Sequence, residues 1–122
     1  MIALGIDLIE VDRIRRSIQS AHFCERVFGV QERQQLAARG MAAESAAACF
    51  AAKEAFGKAL GCGVRGFSLA EVQLLRAPSG QPYLSLCGRA LLLAEEKGLE
   101  FAVSVTHTKQ YAAVVVAAEK KA

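Results

Sequence analysis

The sequence predicts an α+β fold in which a mainly antiparallel sheet packs against one long central helix. The first observation is the order of hydrophobic periodicities, which runs strand, three or four helices, two strands, helix and two strands. The second is an alanine-rich, proline-free segment from about Glu44 to Leu60, followed by Gly61, which is typical of a long buried helix ended by a glycine. A chain of 122 residues is expected to form one domain over residues 1–122.

The opening segment has the period of a strand with one buried face. Its alternating apolar residues are Ile2, Leu4, Ile6 and Leu8. Asp7 falls on the other face, near the end of the strand. A lone acid in such a place is often a turn former or a helix cap, and the residues by themselves do not raise Asp7 above that interpretation.

Helical patterns follow the first strand. Val11 to about Ser20 has an apolar side and a basic side, which indicates an amphipathic helix. A short helical turn is predicted over Phe23–Phe28, and a further helix from Val30 to about Arg39. Gly29 is the predicted N-cap of that helix, and Glu32 occupies its third position, where a carboxylate is favourable.

The excess positive charge of the chain lies in this helical region. Between Val11 and Arg39 there are six arginines and three acids, while the remaining residues carry equal numbers of bases and acids and the net charge is +3. This distribution suggests an acidic partner that binds there, with a solvated helix face as the alternative.

The central helix carries Glu54 and Lys58, which are four residues apart and therefore lie on the same face. One interpretation is an exposed ion pair worth a few tenths of a kcal/mol. The other follows from the neighbouring residues, which are nearly all Ala, Phe, Leu or Gly and predict a largely buried helix. A charge in such a helix is costly unless it is paired or bound to a metal.

Beyond the central helix the sequence predicts two hairpins and one helix. The glycines of residues 62–66 would let a backbone approach a phosphate, although this is a weak signal by itself. The uninterrupted apolar run that ends the chain indicates a strand covered on both faces, either by core or by a partner subunit. The predicted elements are strands over Leu69–Leu75 and Tyr83–Leu86, a helix over Gly88–Lys97, and strands over Phe101–Thr106 and Tyr111–Ala118.

The tip between the last two strands is polar. Residues 106–110 offer two hydroxyls, an imidazole and an amine, which suit an anion contact but are also ordinary for an exposed turn. The sequence contains neither a Walker loop nor a G-x-G-x-x-G dinucleotide fingerprint. Any anion site is therefore of another kind.

Composition excludes several classes of protein. The four cysteines form no close pair and have no histidine at zinc-finger spacing, so reduced thiols in a cytoplasmic protein are expected. The first seven residues lack a basic segment and already include an acid, and no apolar run approaches the length of a membrane span. We expect neither export, nor a membrane, nor a nucleic acid as a partner.

Four motifs lie in the chain in a distinctive order. They are Gly5–Glu10 as G-x-D-x-x-E, Phe50–Gly61 as F-[AS]-[AV]-K-E-A-x-x-K-A-x-G, Gly80–Tyr83 containing G-x-P, and Ser104–Thr108 as S-x-[ST]-H-[TDS]. In order and length they resemble the holo-acyl-carrier-protein synthase group of phosphopantetheinyl transferases. The long central motif is highly specific, and the other three are individually weak and jointly strong.

The resemblance implies a phosphopantetheinyl transferase-like fold and a specific reaction. The phosphopantetheine arm of coenzyme A would pass to a serine of an acyl carrier protein, with release of adenosine 3′,5′-bisphosphate, in support of fatty acid biosynthesis. Mg²⁺ would be the cofactor, and the assembly would be a homotrimer with active sites at the subunit interfaces. The implied sites are Asp7 and Glu54 for the metal, Lys58 for the pyrophosphate, Gly80, Pro82, His107 and Thr108 for the adenosine 3′-phosphate end, and Arg13 and Arg26 for the carrier.

The chemistry is compatible with these residue types. Mg²⁺ prefers hard oxygen ligands, so one or two carboxylates plus phosphate oxygens suffice. When a serine hydroxyl attacks phosphorus, negative charge grows on the surrounding oxygens, and a metal with a nearby lysine stabilises it. Our hypothesis is that Glu54, directly or through a metal-bound water, also accepts the serine proton.

Two positions depart from the family pattern. Cys49 stands where the family commonly has arginine, so one positive charge near the central helix is missing, and Gly29 replaces a capping threonine. Two other classes of function remain. One is a catalytically weak protein that binds coenzyme A or the carrier, and the other is an oligomeric structural domain with an ordinary ion pair.

Overall fold

Five α-helices and five β-strands form the chain in the computed structural model, which describes all 122 residues. The order of elements is the predicted one, with four helices before the first hairpin. The elements are β1 (Ile2–Glu10), α1 (Val11–Ser17), α2 (Ala21–Val27), α3 (Val30–Ala38), α4 (Ala43–Leu60), β2 (Val72–Arg76), β3 (Pro82–Leu86), α5 (Gly88–Lys97), β4 (Leu99–His107) and β5 (Tyr111–Lys120).

The strands form two antiparallel sheets. One has the order β1-β5-β4, and the other is the β2–β3 hairpin. In the larger sheet Asp7 lies opposite Val114 on the central strand β5. This α+β architecture, with antiparallel strands against a long helix, is the predicted fold class.

Helix α4 packs across one face of the larger sheet. It is almost wholly buried, as predicted, and it ends at Gly61, whose φ of +86° is the left-handed conformation that glycine adopts readily. A Cβ at Gly5 of β1 would overlap the carbonyl oxygen of Ala55 and lie 2.7 Å from the nitrogen of Ala59. The missing side chain thus brings the backbone of β1 directly against α4.

The prediction of a buried apolar face on β1 is wrong for the single chain. The alternating apolar side chains point away from α4, and Leu4 and Leu8 are 66% and 65% exposed. The face that packs on the helix carries Gly5, Asp7 and Ile9 instead, because only a glycine permits so close an approach. We call the outward side the outer sheet face, which consists of Ile2, Leu4, Ile6 and Leu8 of β1 with the half-buried Ala113, Val115 and Ala117 of β5.

The covering of β5 follows from the same arrangement. Alternate residues from Ala112 to Ala118 are buried against α4, whereas those between them belong to the outer sheet face and are only half-buried. In the single chain the prediction of a strand covered on both faces therefore holds for one face.

Two element boundaries differ from the predicted ones for local reasons. Helix α1 ends at Ser17 rather than near Ser20, because the hydroxyl of Ser20 accepts a hydrogen bond from Phe23 N at 3.2 Å and starts α2. Residues 69–71 form a short 3₁₀ turn rather than the start of a strand, because a Glu71 carboxylate oxygen accepts from Ser68 N at 2.9 Å. Strand β2 accordingly begins at Val72.

The N-terminus of α3 is held by a residue from another element. Gly29 is the N-cap, as predicted, and Glu32 Oε1 accepts from Gly29 N at 3.1 Å. Glycine has no side-chain acceptor, so Gln73 Oε1 of β2 accepts the hydrogen bond of Glu32 N at 2.9 Å. A Cβ at Gly29 would overlap the Gln73 side chain, which therefore fills the space of the missing capping residue.

A buried ion pair joins α3, α4 and β2. Lys53 and Glu32 are both fully buried, and Lys53 Nζ lies 2.6 Å from Glu32 Oε1. Lys53 also donates to Val72 O, and Glu32 Oε2 accepts from Leu74 N at 2.8 Å. With these partners each charge is compensated and hydrogen-bonded, which is the condition for tolerating buried charge.

Candidate active site

Asp7 and Lys58 meet where β1 packs on α4. Lys58 Nζ donates to the carbonyl oxygen of Ile6 at 2.8 Å and lies 3.4 Å from Asp7 Oδ1. Asp7 is largely covered, with 18% of its side chain exposed, whereas 52% of the Lys58 side chain is exposed. Lys58 is thus tied to β1 while still open to an incoming group, and its ion pair is with Asp7 rather than with Glu54.

Glu54 lies one helical turn before Lys58 and is partly buried. Burial raises the pKa of the Glu54 carboxyl, and the negative charge of Asp7 raises it further. The positive charges of Lys58 and Arg13 act in the opposite direction. Two carboxylates and two cations therefore share one local field at the junction of β1, α1 and α4.

Arg13 connects this cluster to the basic surface. Its guanidinium carbon lies 5.5 Å from the centre of the Phe50 ring on α4, within the range of a cation–π contact. Phe50 in turn stacks on Phe23 of α2 at 6.2 Å between ring centres. Arg26, in the last turn of α2, is exposed. The predicted carrier-binding arginines thus lie on helices that pack around the same aromatic pair.

A second polar region surrounds Cys49. It is a cavity of about 70 Å³ between α3, α4 and β2, with the tip of β4 at its edge. Cys49 itself is only 5% exposed, and burial raises the pKa of its thiol far above the ordinary value. The cavity is lined by Glu32, Gln35, Leu36, Arg39, Ser45, Ala48, Cys49, Leu74, Arg76 and His107.

The predicted adenosine-end residues differ in their relation to this cavity, and only one of them lines it. His107, the last residue of β4, lines it, and Gly80 is linked to it because Arg76 Nη1 donates to Gly80 O at 3.1 Å. Pro82 begins β3 on the far side of the turn. The Thr108 hydroxyl accepts from Gln110 N at 3.2 Å and Tyr111 N at 3.0 Å, so it holds the β4–β5 turn.

Comparison with known proteins identifies the family. Residues 3–116 match the family model described as ACPS, the 4′-phosphopantetheinyl transferase superfamily. The chain belongs to this superfamily. The resemblance to the holo-acyl-carrier-protein synthase group, and with it the prediction of a 4′-phosphopantetheinyl transferase, is confirmed.

Relatives match this transferase over nearly its whole length. A holo-[acyl-carrier-protein] synthase of Treponema denticola is 42% identical over 121 residues, which cover 98% of each chain. The crystal structure of holo-[acyl-carrier-protein] synthase from Neisseria meningitidis has a TM-score of 0.90 and 29% identity, covering 98% of this chain and 100% of the other. The ACPS–CoA complex of Chronobacterium ammoniagenes has a TM-score of 0.85 and 27% identity, covering 100% and 99%. The predicted fold is confirmed.

The donor set of this transferase fits a magnesium ion. Asp7 and Glu54 are hard oxygen donors, and part of the raised pKa of Glu54 is repulsion from Asp7, which a bound cation relieves. The structure gathers no cluster of three or more His, Cys, Asp or Glu side chains. The other ligands of such an ion would therefore be water and substrate oxygens.

No helix has the length and apolar character that crossing a bilayer requires.

Sequence reasoning did not predict two features of the transferase. One is the buried Lys53–Glu32 pair, whose members are 21 residues apart and give no periodic signal. The other is Arg76, which lines the cavity and directly precedes the turn containing Gly80. The position of Arg76 beside the G-x-P motif was the available signal for it.

Proposed function

We propose that the chain transfers the 4′-phosphopantetheine arm of coenzyme A to a serine of an apo-acyl carrier protein and releases adenosine 3′,5′-bisphosphate. The observation that carries the proposal is the meeting of Asp7, Glu54 and Lys58 between β1 and α4 in a chain of this family. The names of the relatives and the coenzyme A complex of a structural neighbour support the substrates. We assign this activity to a single domain over residues 1–122, acting in fatty acid biosynthesis.

In the proposed reaction the serine oxygen attacks the phosphorus that bears the pantetheine arm. A bond forms between the serine oxygen and that phosphorus, and the bond from phosphorus to the bridging oxygen breaks, so adenosine 3′,5′-bisphosphate leaves. Lys58 has a half-exposed side chain and would contact the pyrophosphate, where negative charge grows. Glu54, a carboxylate one helical turn before Lys58, would accept the serine proton.

Asp7 and Glu54 would hold Mg²⁺. Bound there, the ion would neutralise charge on the pyrophosphate oxygens and orient them. The Asp7 carboxylate is fixed for this role by its contact with Lys58 Nζ and by the close packing of β1 on α4.

Arg13 and Arg26 would meet the acyl carrier protein. Both are exposed and both belong to the helical region that holds the excess positive charge, which suits an acidic protein rather than a small neutral partner. Reversing either residue to Glu is expected to raise the apparent KM for the carrier, and transfer by the parent protein should weaken steeply with salt. A KM that stays at the parent value would remove that residue from the interface.

The proposed assembly is a homotrimer with active sites at the subunit interfaces. The outer sheet face presents four large apolar side chains of β1 to solvent, beside small apolar residues of β5. A contiguous apolar surface of this kind is typical of a protein interface. Asp7 lies on the same strand, so an interface formed there would adjoin the metal-binding pair.

The proposed location is the cytoplasm. All four cysteines are free, and such thiols persist in a reducing compartment.

One incubation tests the activity against its two rivals. The protein is mixed with apo-carrier, coenzyme A and magnesium, and the mass of the carrier is measured by mass spectrometry. A mass gain of one phosphopantetheine that requires magnesium supports the transferase. Binding of coenzyme A or carrier without a mass gain supports a binding protein. If there is no mass gain and no binding, the result supports a structural domain.

A further inference from the structure

The cavity beside Cys49 is positively charged. Arg39 and Arg76 line it, together with the polar side chains of Gln35, Ser45 and His107. Its one carboxylate, Glu32, is already neutralised by Lys53 at 2.6 Å and accepts two backbone hydrogen bonds. The cavity therefore offers free positive charge and hydrogen-bond donors to an anion.

Cys49 adds nothing to this charge. Its Sγ lies 3.8 Å from the carbonyl oxygen of Leu74 as a weak donor, and the buried thiol stays protonated because burial raises its pKa. The family motif commonly has an arginine at this position. A cavity that binds an anion here must take its charge from other residues.

Arg76 is built into position to supply that charge. The side-chain amide of Gln35 binds both polar groups of the Arg76 backbone, at 2.8 Å to its nitrogen and 3.0 Å to its oxygen. One guanidinium nitrogen donates to Gly80 O at 3.1 Å, which fixes the head group between the turn and the cavity. A guanidinium has five N–H donors, so most of them remain for a ligand.

Arg39 approaches the same place from another element. It is the C-cap residue of α3, and its positive charge acts on the Cys49 thiol. Two arginines from different elements line this one small cavity. Together they match a phosphate monoester, which carries nearly two negative charges at neutral pH and has three acceptor oxygens.

We propose that Arg76, with Arg39, replaces the arginine missing at position 49 and recognises the 3′-phosphate of coenzyme A, so that Arg76 determines the preference for 3′-phosphorylated substrate. The inference rests on the proposed function and adds to it a specificity residue. It also explains how the protein tolerates a neutral side chain at position 49.

The test compares coenzyme A with 3′-dephospho-coenzyme A as donors for apo-carrier. We expect R76M to raise the KM for coenzyme A by roughly tenfold to a hundredfold, the loss typical of one charge-assisted contact, and to leave the KM for the dephospho donor unchanged. The KM ratio of the two donors then moves toward one. R76K, which keeps the charge but loses the fork geometry, should give an intermediate ratio.

Two controls separate recognition from structural damage. Arg89 donates to the carbonyl oxygen of Gly66 at 3.0 Å, as Arg76 does to Gly80, but it does not line the cavity. R89M should therefore leave the ratio at its parent value. C49A removes a neutral group from the cavity and should also leave the ratio unchanged.

The binding of adenosine 3′,5′-bisphosphate and of AMP, measured by calorimetry, keeps the inference testable in any variant that turns over poorly. A parent that prefers the bisphosphate and loses this preference in R76M, with a weaker preference in R39M, supports the inference. An unchanged preference in R76M overturns it, as does a parent that binds both nucleotides equally. If no donor supports transfer although the bisphosphate preference is present, the proposed function fails and the anion site stands.

Discussion

At the scale of single residues, our proposal gives Glu54 the most demanding role. It lies on a buried helix beside another carboxylate, and the positive charges of Lys58 and Arg13 lower its pKa. E54Q keeps the volume and removes the charge, so we expect transfer to fall by at least a hundredfold, the usual contribution of a positioned base, while the fold is retained. Turnover on apo-carrier and circular dichroism measure the two effects, and near-normal turnover would rule the role out.

The raised pKa of Glu54 makes a second prediction with a definite sign. The folded chain holds this proton more tightly than the unfolded chain, so ionisation of Glu54 lowers stability at higher pH. That cost starts to fall as the pH drops below the raised folded pKa, and it is gone below the ordinary pKa of the unfolded chain. In metal-free protein, D7N should lower the Glu54 pKa because it removes a repelling charge, and K58M should raise it.

Carboxyl carbon NMR in the presence of a chelator measures this pKa. D12N is the control, because Asp12 is exposed and pairs with Arg15 at 3.3 Å rather than with the cluster. A Glu54 pKa that stays the same or rises in D7N would show that the two carboxylates do not interact.

Asp7 shows the limit of sequence reasoning at this scale. Its partner Lys58 is 51 residues away, and hydrophobic periodicity contains no information about such a pair. Without the family motif, Asp7 was indistinguishable from a turn former. The i,i+4 spacing of Glu54 and Lys58 correctly gave a shared helix face, but the ion pair forms between Lys58 and β1, since close packing at Gly5 brings that strand within reach.

At the scale of elements, the start of α3 depends on β2. Gln73 replaces the capping side chain that Gly29 lacks, so Q73A should destabilise the protein by about 1 kcal/mol. Adding G29S to Q73A should recover most of that loss, because the serine hydroxyl then has room to cap Glu32 N. G29S alone should not stabilise, since its side chain would collide with Gln73.

Urea unfolding at fixed protein concentration measures this cycle. Q34A is the matched control on the exposed side of α3 and should change stability by less than about 0.5 kcal/mol. The capping assignment would be wrong if the double variant were less stable than Q73A alone.

The elements themselves were largely predictable, because their periods and glycine ends are local properties. The helix over Gly88–Lys97 and the end of α4 at Gly61 agree with the structure. The strand predicted from Leu69 starts at Val72 instead, because the Glu71 carboxylate folds the preceding residues into a turn. The face of β1 that packs on α4 was predicted wrongly, because an apolar pattern does not show whether core or a partner chain covers it.

At the scale of the whole molecule, the outer sheet face determines assembly in our proposal. I6E places a charge in that face and should convert a trimer into smaller species with reduced activity. V30E is a matched control, since Val30 on α3 has the same 61% exposure as Ile6 but lies outside the face. Light scattering gives the mass of each variant, and a parent protein that is a stable, active monomer would contradict the assembly.

The position of β1 at the edge of its sheet has a consequence for how the protein is made. The strand order leaves one side of β1 without a hydrogen-bonded neighbour, and its large apolar side chains face solvent in the isolated chain. Newly synthesised chains can therefore aggregate through this edge strand, in the wrong register, until they assemble with their partner subunits. Refolding yield should accordingly depend on the kinetic competition between correct assembly and aggregation, and it should change when the protein is diluted.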